Sequence, residues 1–476
     1  MSISRKSVIA SLLWKFLERC SVQVVSFVVT IVLARILCPE DYGLIALVMV
    51  FINISSVLVE GGLNTALIQK KNASQIDFST IFYTSLSMAL FLYLVLYWGA
   101  PFIAKFYGKE QLIPIVRLLG FSLFFYAINS VQKAYLIKNL LFKNLFFSGF
   151  GAVLLSGVLG VYMAKSGFGV WALVTQSVVS QIATTLVMWF TVKWRPTWEF
   201  SWDSFRQLFG FGSKILFTNF MISFFVNIRN LIIGKVYSAA SLAYFDRGKQ
   251  FPSLIIDNIN SSIQSVLFPV LADQQNSKSS VKQIVRRSIK TSTYIIFPLV
   301  IGLAVSADPL VRFLLTDKWV GAIPFIQIFC MMYLLMPMQI ANMEAIKALG
   351  HSGTSLKLET IKKIIELLIL IITVPIGVYA IAWGLVVYNL FSIFINTYPN
   401  KKLLEYDLSS QIKDVIPALL VSLAMGIIII LFNQLEIASW MKFVADVIIG
   451  IVVYLFLSIV FKLDAFMYLK GLFLKK

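Results

Sequence analysis

Apolar runs of about twenty residues recur from one end of this chain to the other. Each is long enough to cross the hydrocarbon of a bilayer as a helix. Fourteen such spans can be drawn, over 8–36, 43–69, 77–101, 111–137, 145–165, 168–192, 207–234, 240–269, 289–307, 320–346, 355–374, 378–398, 413–432 and 439–461. Composition agrees, since 59% of the 476 residues are hydrophobic and 13% charged, where a soluble protein carries about 25% charged residues. Mean hydropathy is +0.85. The expected fold is all-α, a polytopic membrane protein of about fourteen transmembrane helices. Pro252, Pro298, Pro337 and the pair Gly61-Gly62 fall inside spans. Membrane helices tolerate such breaks where neighbours satisfy the freed backbone groups.

A net charge of +19 raises the question of nucleic acid. The cations are spread among loops rather than gathered on one domain, so no nucleic-acid partner is expected. They report topology instead. With the N-terminus inside, alternate polar segments hold Arg5 and Lys6; Lys70 and Lys71; Lys133, Lys138 and Lys143; Lys193, Arg195, Arg206 and Lys214; and Lys278, Lys282, Arg286, Arg287 and Lys290. The series continues with Lys347, Lys357, Lys362 and Lys363; Lys401, Lys402 and Lys413; and Lys462, Lys470, Lys475 and Lys476. The opposite segments hold only Arg35, Lys105, Lys109, Lys165, Lys235, Arg312 and Lys318. The positive-inside rule then puts both termini in the cytoplasm.

Several chemistries find no support. Cys20, Cys38 and Cys330 are widely separated, and His351 is the single histidine, so neither a metal site nor a Ser/His/Asp triad is expected. No G-x-x-x-x-G-K-[ST] sequence occurs, which removes a phosphate-binding loop. Arg5 and Lys6 before an apolar run resemble a secretory signal, but Lys15, Glu18 and Arg19 interrupt that run and it continues to Leu37. It reads as a retained first span. Cys38-Pro39-Glu40-Asp41-Tyr42-Gly43 reads as a tight turn between helices rather than an acidic metal or base site.

The chain also repeats itself. Residues 34–69 align with 234–269 without a gap: Ala34-Arg35 on Gly234-Lys235, Glu60 on Asn260, Asn64 on Gln264 and Leu67 on Leu267. Further on, Ile113-Pro114 falls on Ile323-Pro324, and Asn129 and Gln132 on Gln339 and Asn342. Two six-helix bundles related by a pseudo-twofold are therefore expected, 1–200 and 201–400, with 401–476 adding a two-helix hairpin and a cytoplasmic tail. Such bundles can rock about a central cavity, with the substrate site between them.

Polar residues inside spans mark that cavity, because lipid does not solvate them. Asp246, Gln250, Ser253, Asp257, Asn260 and Gln264 are spaced by three or four residues and share one helix face. Asn53, Ser56, Glu60 and Asn64 form the matching stripe on span 2, and Asn219, Ser223 and Asn227 lie on span 7. The cations Lys15, Arg19, Arg229, Arg247 and Lys249 suit an anionic cargo, arginine forks matching phosphate oxygens. Glu18, Glu60, Asp257 and Glu344, with the amides Asn64 and Gln264, are candidates for cavity hydration or for coupling to protons or sodium ions. Pairing within the membrane is the competing role for each charge, and Lys442 with Asp446 reads as a structural i,i+4 pair.

Leu33-Ala34-Arg35-Ile36-Leu37 followed by Pro39-Glu40-Asp41-Tyr42-Gly43 resembles the A-R-x-L-x-P-E-x-F/Y-G signature of bacterial polysaccharide exporters. Phe209-Gly210-Phe211-Gly212-Ser213, Ile233-Gly234 and Leu242-Ala243-Tyr244-Phe245-Asp246-Arg247 resemble the opening of their second half, with Ala243 in place of glycine and Gly248 in place of alanine. The chain is similar to the polysaccharide transporter (Wzx-type) branch of the multidrug/oligosaccharidyl-lipid/polysaccharide flippase superfamily. That resemblance implies a non-enzymatic flippase of the bacterial inner membrane, moving an undecaprenyl-diphosphate-linked oligosaccharide by alternating access. It also implies membrane lipid as surroundings and a polysaccharide polymerase and glycosyltransferases as partners. The alternatives are a drug or metabolite antiporter or a lipid II flippase of the same superfamily, or a polymerase or ligase enzyme. An antiporter of cations calls for an acidic cavity, and an enzyme for a large outer loop.

Overall fold

The computed structural model describes residues 5–60 and 62–474; Gly61 and the terminal Lys475 and Lys476 lie outside them, as do the side chains of Arg5 and Lys6. Among the described residues there is no strand. The helices are α1 (Arg5–Ile36), α2 (Pro39–Glu60), α3 (Leu63–Gln69), α4 (Gln75–Tyr107), α5 (Leu112–Gly120), α6 (Ser122–Lys138), α7 (Phe142–Lys165), α8 (Val170–Thr191), α9 (Trp202–Val236) and α10 (Ala239–Asp273). They continue with α11 (Lys278–Val305), α12 (Ala307–Leu314), a 3₁₀ turn (Asp317–Ala322), α13 (Ile323–Leu334), α14 (Met336–Ala348), α15 (Ser352–Thr373), α16 (Val378–Leu404), α17 (Leu408–Asn433), α18 (Ser439–Val460) and α19 (Asp464–Leu474).

Thirteen segments among the described residues are long and apolar enough to cross a membrane. The remaining expected span, 355–374, is α15. It is long enough, but Lys357, Glu359, Lys362, Lys363 and Glu366 occupy its first half. Two short in-helix pairs, Lys362–Glu359 at 2.6 Å and Lys363–Glu366 at 2.8 Å, offset those charges. Its other face exposes Leu356, Ile361, Ile364, Leu368, Ile371 and Ile372, as a lipid-facing helix does. The protein is a multi-pass membrane protein.

Local signals start and stop the helices. Ser74 and Asp77 form a capping box at the head of α4, and Gly108 ends it in the left-handed conformation. Pro39 opens α2, where its missing N–H costs nothing. Asp41 accepts from the Cys38 N–H at 3.3 Å, so the acidic turn is held by its own carboxylate. Asp407 caps α17, and the Ser410 hydroxyl and N–H hold its carboxyl below the usual range.

The chain divides into two compact units, Met1–Ala243 and Tyr244–Lys476. This differs from a boundary at 200. The connection after α8 is strapped to the head of α4, Thr197 N–H donating to Ser79 Oγ at 3.0 Å and Ser201 N–H to Thr80 Oγ1 at 3.1 Å. It then enters α9, which packs along α2, α3 and α4. Nor does the segment after 401 stand apart. Arg286 on α11 grips Asp414 on α17 with two 2.7 Å bonds, and Tyr454 on α18 donates to the Tyr294 carbonyl at 2.7 Å.

Backbone approach sets the packing in the first unit. Helices in lipid associate through close contact rather than through loss of water, so small residues line their seams. A Cβ on Gly43 would lie 2.0 Å from the Ala239 carbonyl, one on Gly234 2.0 Å from Leu47 Cδ2, and one on Gly62 2.0 Å from the Gly212 carbonyl. These contacts zip α2 against the end of α9 and the first residue of α10 on one side, and against α9 again at the break before α3. In the second unit a Cβ on Gly248 would meet Phe325 Cβ at 2.3 Å, which accounts for glycine where the exporter pattern has alanine.

Gly62→Leu is expected to lower stability by about 3 kcal/mol or more, because the obstructing atom is backbone and cannot rotate away. Gly99→Ala, with nothing within 4 Å of its Cβ, is expected to be neutral or slightly stabilising. Thermal unfolding of the two variants in detergent compares them directly.

Candidate functional site

The described polar side chains of the spans fall into two kinds. The first are pins between helices. Thr185 on α8 donates to Asn129 Oδ1 on α6 at 2.8 Å, and Gln339 on α14 donates to Asn389 Oδ1 on α16 at 2.8 Å. Asn342 and Gln411 exchange bonds of 2.8 and 2.9 Å, and Asn400 donates to Asn342 Oδ1 at 2.8 Å, all three fully buried. The amides of spans 4 and 10 that match in the repeat thus include several that hold helices together. Asn433 lies between Lys442 and Asp446, accepting from the lysine at 2.8 Å and donating to the carboxylate at 3.1 Å, so that pair is bridged rather than direct.

The second kind face open space. A cavity of about 390 Å³ lies along the α2–α9 seam. Asn53, Ser56, Asn219, Ser223 and Asn227 supply its polar atoms, and Val57, Ile222 and Val226 its apolar ones. Asn53 Nδ2 is 3.5 Å from Asn227 Oδ1, the outer limit of a hydrogen bond. Asn227 is steadied by donating to the Ser223 carbonyl at 2.8 Å and hydroxyl at 3.2 Å.

Glu60 ends α2 at the break before α3. Asn64 bonds its carbonyl at 2.8 Å. Glu60 Oε1 and Asn64 Oδ1 are buried and have no hydrogen-bond partner among the described residues, the signature of a site for water or an ion. The nearby cation was misplaced from sequence. Lys133 counts among the inner-loop cations by sequence, but it is half-buried on α6 and its charge acts on both Glu18 and Glu60. A lone lysine near the end of an apolar run looks like a loop residue when helix length is judged by hydropathy alone.

The remaining candidates disperse. Lys15 is exposed and lies 5.6 Å from the Phe142 ring, at the head of α7. Arg19 is exposed on α1, whereas Arg229 on α9 is only 6% exposed. Arg247 is 9% exposed, 5.5 Å over the Trp319 ring, and donates to Gln250; Lys249 is half-buried two residues on. Asp257 and Gln264 are exposed on α10, with Asn260 buried between them. Glu344 is buried and paired with Lys347 at 3.0 Å, which neutralises a carboxylate expected to be available for coupling.

The profile of a family described as "Polysaccharide biosynthesis protein" matches residues 32–324. The chain is similar to the teichuronic acid biosynthesis protein TuaB of Bacillus subtilis (strain 168), 24% identical over 413 residues covering 85% of each chain. It is also similar to the lipopolysaccharide biosynthesis protein WzxC of Escherichia coli (strain K12), 23% identical over 338 residues, 70% of this chain and 68% of that one. Among solved structures, the lipid II flippase MurJ in an inward closed conformation superposes with a TM-score of 0.74 at 17% identity, covering 94% of this chain and 98% of that one. An inward-facing MATE multidrug transporter of the MOP superfamily gives 0.60 at 15% identity, covering 82% and 98%. These two likenesses establish the fold.

Lys133→Met is expected to lower stability by about 1–3 kcal/mol, the cost of leaving a buried acceptor without its counter-charge. Adding Glu60→Gln should recover most of that loss. Unfolding of the single and double variants in detergent checks the coupling, and a double variant no better than the single one would refute it.

Proposed function

Because the chain belongs to the polysaccharide biosynthesis protein family, we propose that it flips an undecaprenyl-diphosphate-linked oligosaccharide, an O-antigen or exopolysaccharide repeat unit, across the bacterial inner membrane. The names of its relatives, in teichuronic acid and lipopolysaccharide biosynthesis, favour a saccharide cargo. The observation that carries the reading is a guanidinium, Arg229, buried in a membrane span of the first unit. Arginine in a span is costly and suits a bound phosphate oxygen. Arg19 and Arg229 contact the diphosphate, and Lys15 adds positive field. Cargo leaves chemically unchanged, so the protein acts as a transporter rather than an enzyme.

Alternating access needs an energy source, and Glu60 is the residue proposed to couple it. Its buried oxygen lacks a partner among the described residues, and a proton or sodium ion fits that position. Glu18 hydrates the path. Both termini lie in the cytoplasm, where glycosyltransferases build the cargo; a polymerase uses it on the far side.

Arg19→Ala and Arg229→Ala are each expected to cut surface polysaccharide about tenfold or more, the loss of one charge-assisted bond. Membrane insertion should be unchanged and the lipid-linked unit should accumulate inside. Normal export in both variants would sink the assignment. In proteoliposomes, Glu60→Gln should abolish the response of flipping to an imposed proton or sodium gradient, which is read from the rate with and without that gradient.

A further inference from the structure

We propose that the cavity between α2 and α9 is a subsite for the uncharged sugar rings of the cargo, separate from the cations that take its diphosphate. This rests on the flippase reading above and adds what part of the cargo binds where. The lining carries no charge. Asn53, Asn219 and Asn227 present amides and Ser56 and Ser223 hydroxyls, groups that both donate and accept, as sugar hydroxyls do. A phosphate would instead call for cations or converging N–H donors. Val57, Ile222 and Val226 offer apolar surface to the C–H face of a ring. At about 390 Å³ the space is within the range of small-molecule sites, roughly 300–1,000 Å³.

The polar groups have capacity left. Asn219 is exposed and makes no hydrogen bond among the described residues. Ser56 spends its proton on the Asn53 carbonyl at 2.9 Å and keeps its lone pairs. The contact between Asn53 and Asn227 is long enough, at 3.5 Å, for a hydroxyl to replace it. Placement agrees too. The cavity lies between the two ends at which α2 and α9 touch through Gly234 and Gly62, hence near the middle of the bilayer.

The test uses the full chain in detergent and two probes that differ only in sugar: undecaprenyl diphosphate, and undecaprenyl diphosphate bearing chitobiose, two uncharged N-acetylglucosamine units. Binding is followed by thermophoresis. The wild type should bind the glycosylated probe about fivefold tighter or more, since one net hydrogen bond is worth about fivefold. Asn219→Ala and Asn53→Ala should each weaken the glycosylated probe by about fivefold and leave the bare one unchanged. Asn219 is exposed, so its truncation leaves the fold intact should Asn53→Ala disturb the seam. Equal wild-type affinities for the two probes would overturn the sugar subsite while leaving the flippase reading standing. Equal weakening of both probes by Asn219→Ala, or no weakening of either, would do the same. Failure of both probes to bind the wild type would overturn the flippase reading itself and the subsite with it.

Discussion

A polar side chain in hydrocarbon has no water to fall back on, so it must pair within the protein or border a space that water or cargo can enter. The architecture follows from how this chain meets that demand. Where an amide meets another polar side chain at short range, two helices are pinned: Asn129 with Thr185, Gln339 with Asn389, Asn342 with Gln411 and Asn400. Where amides meet only weakly, as Asn53 and Asn227 do, a cavity remains. The same residue type builds the frame in one place and lines open space in another, and geometry alone separates the roles.

The pins recur in register with the internal repeat. Asn129 and Gln339 are repeat mates, and each fastens the fourth helix of its copy to the sixth. The two copies also break that fourth helix at matching points, between α5 and α6 and between α13 and α14. A broken helix needs its freed backbone groups satisfied by neighbours. A polar pin close to each break keeps the two halves against the same partner. The repeat therefore reaches down to individual hydrogen bonds, beyond what matched polar positions in apolar sequence establish by themselves.

Most of the fold was legible in the sequence, because a bilayer turns length and hydropathy into helices almost without competition. The repeat was legible because polar residues stand out against an apolar background. What escaped notice depended on partners distant in sequence. Lys133 lies at the end of an apolar run and counts as a loop cation until α1 and α2 bring Glu18 and Glu60 within reach of its charge. Glu344 looks like a coupling carboxylate until Lys347, one turn on, is seen to hold it at 3.0 Å. The assignment of α9 to the first unit rests on glycine contacts with α2, and nothing in the hydropathy of either helix announces them. The neutral groups of spans 2 and 7 were found as polar residues, but their sharing of one cavity is a fact of packing.

Span 2 concentrates these constraints. Its N-terminal end opens at Pro39 and closes on the Ala239 carbonyl through Gly43, its middle borders the neutral cavity, and its C-terminal end breaks after Glu60. Gly62 at that break has no Cβ because the Gly212 carbonyl occupies the position. That close contact holds the chain two residues past the Glu60 carboxylate. Any movement that opened the α2–α9 seam at Gly62 would move that carboxylate with it. The carboxylate and the hinge stand two residues apart at a single helix end, which ties the position of the one to the state of the other.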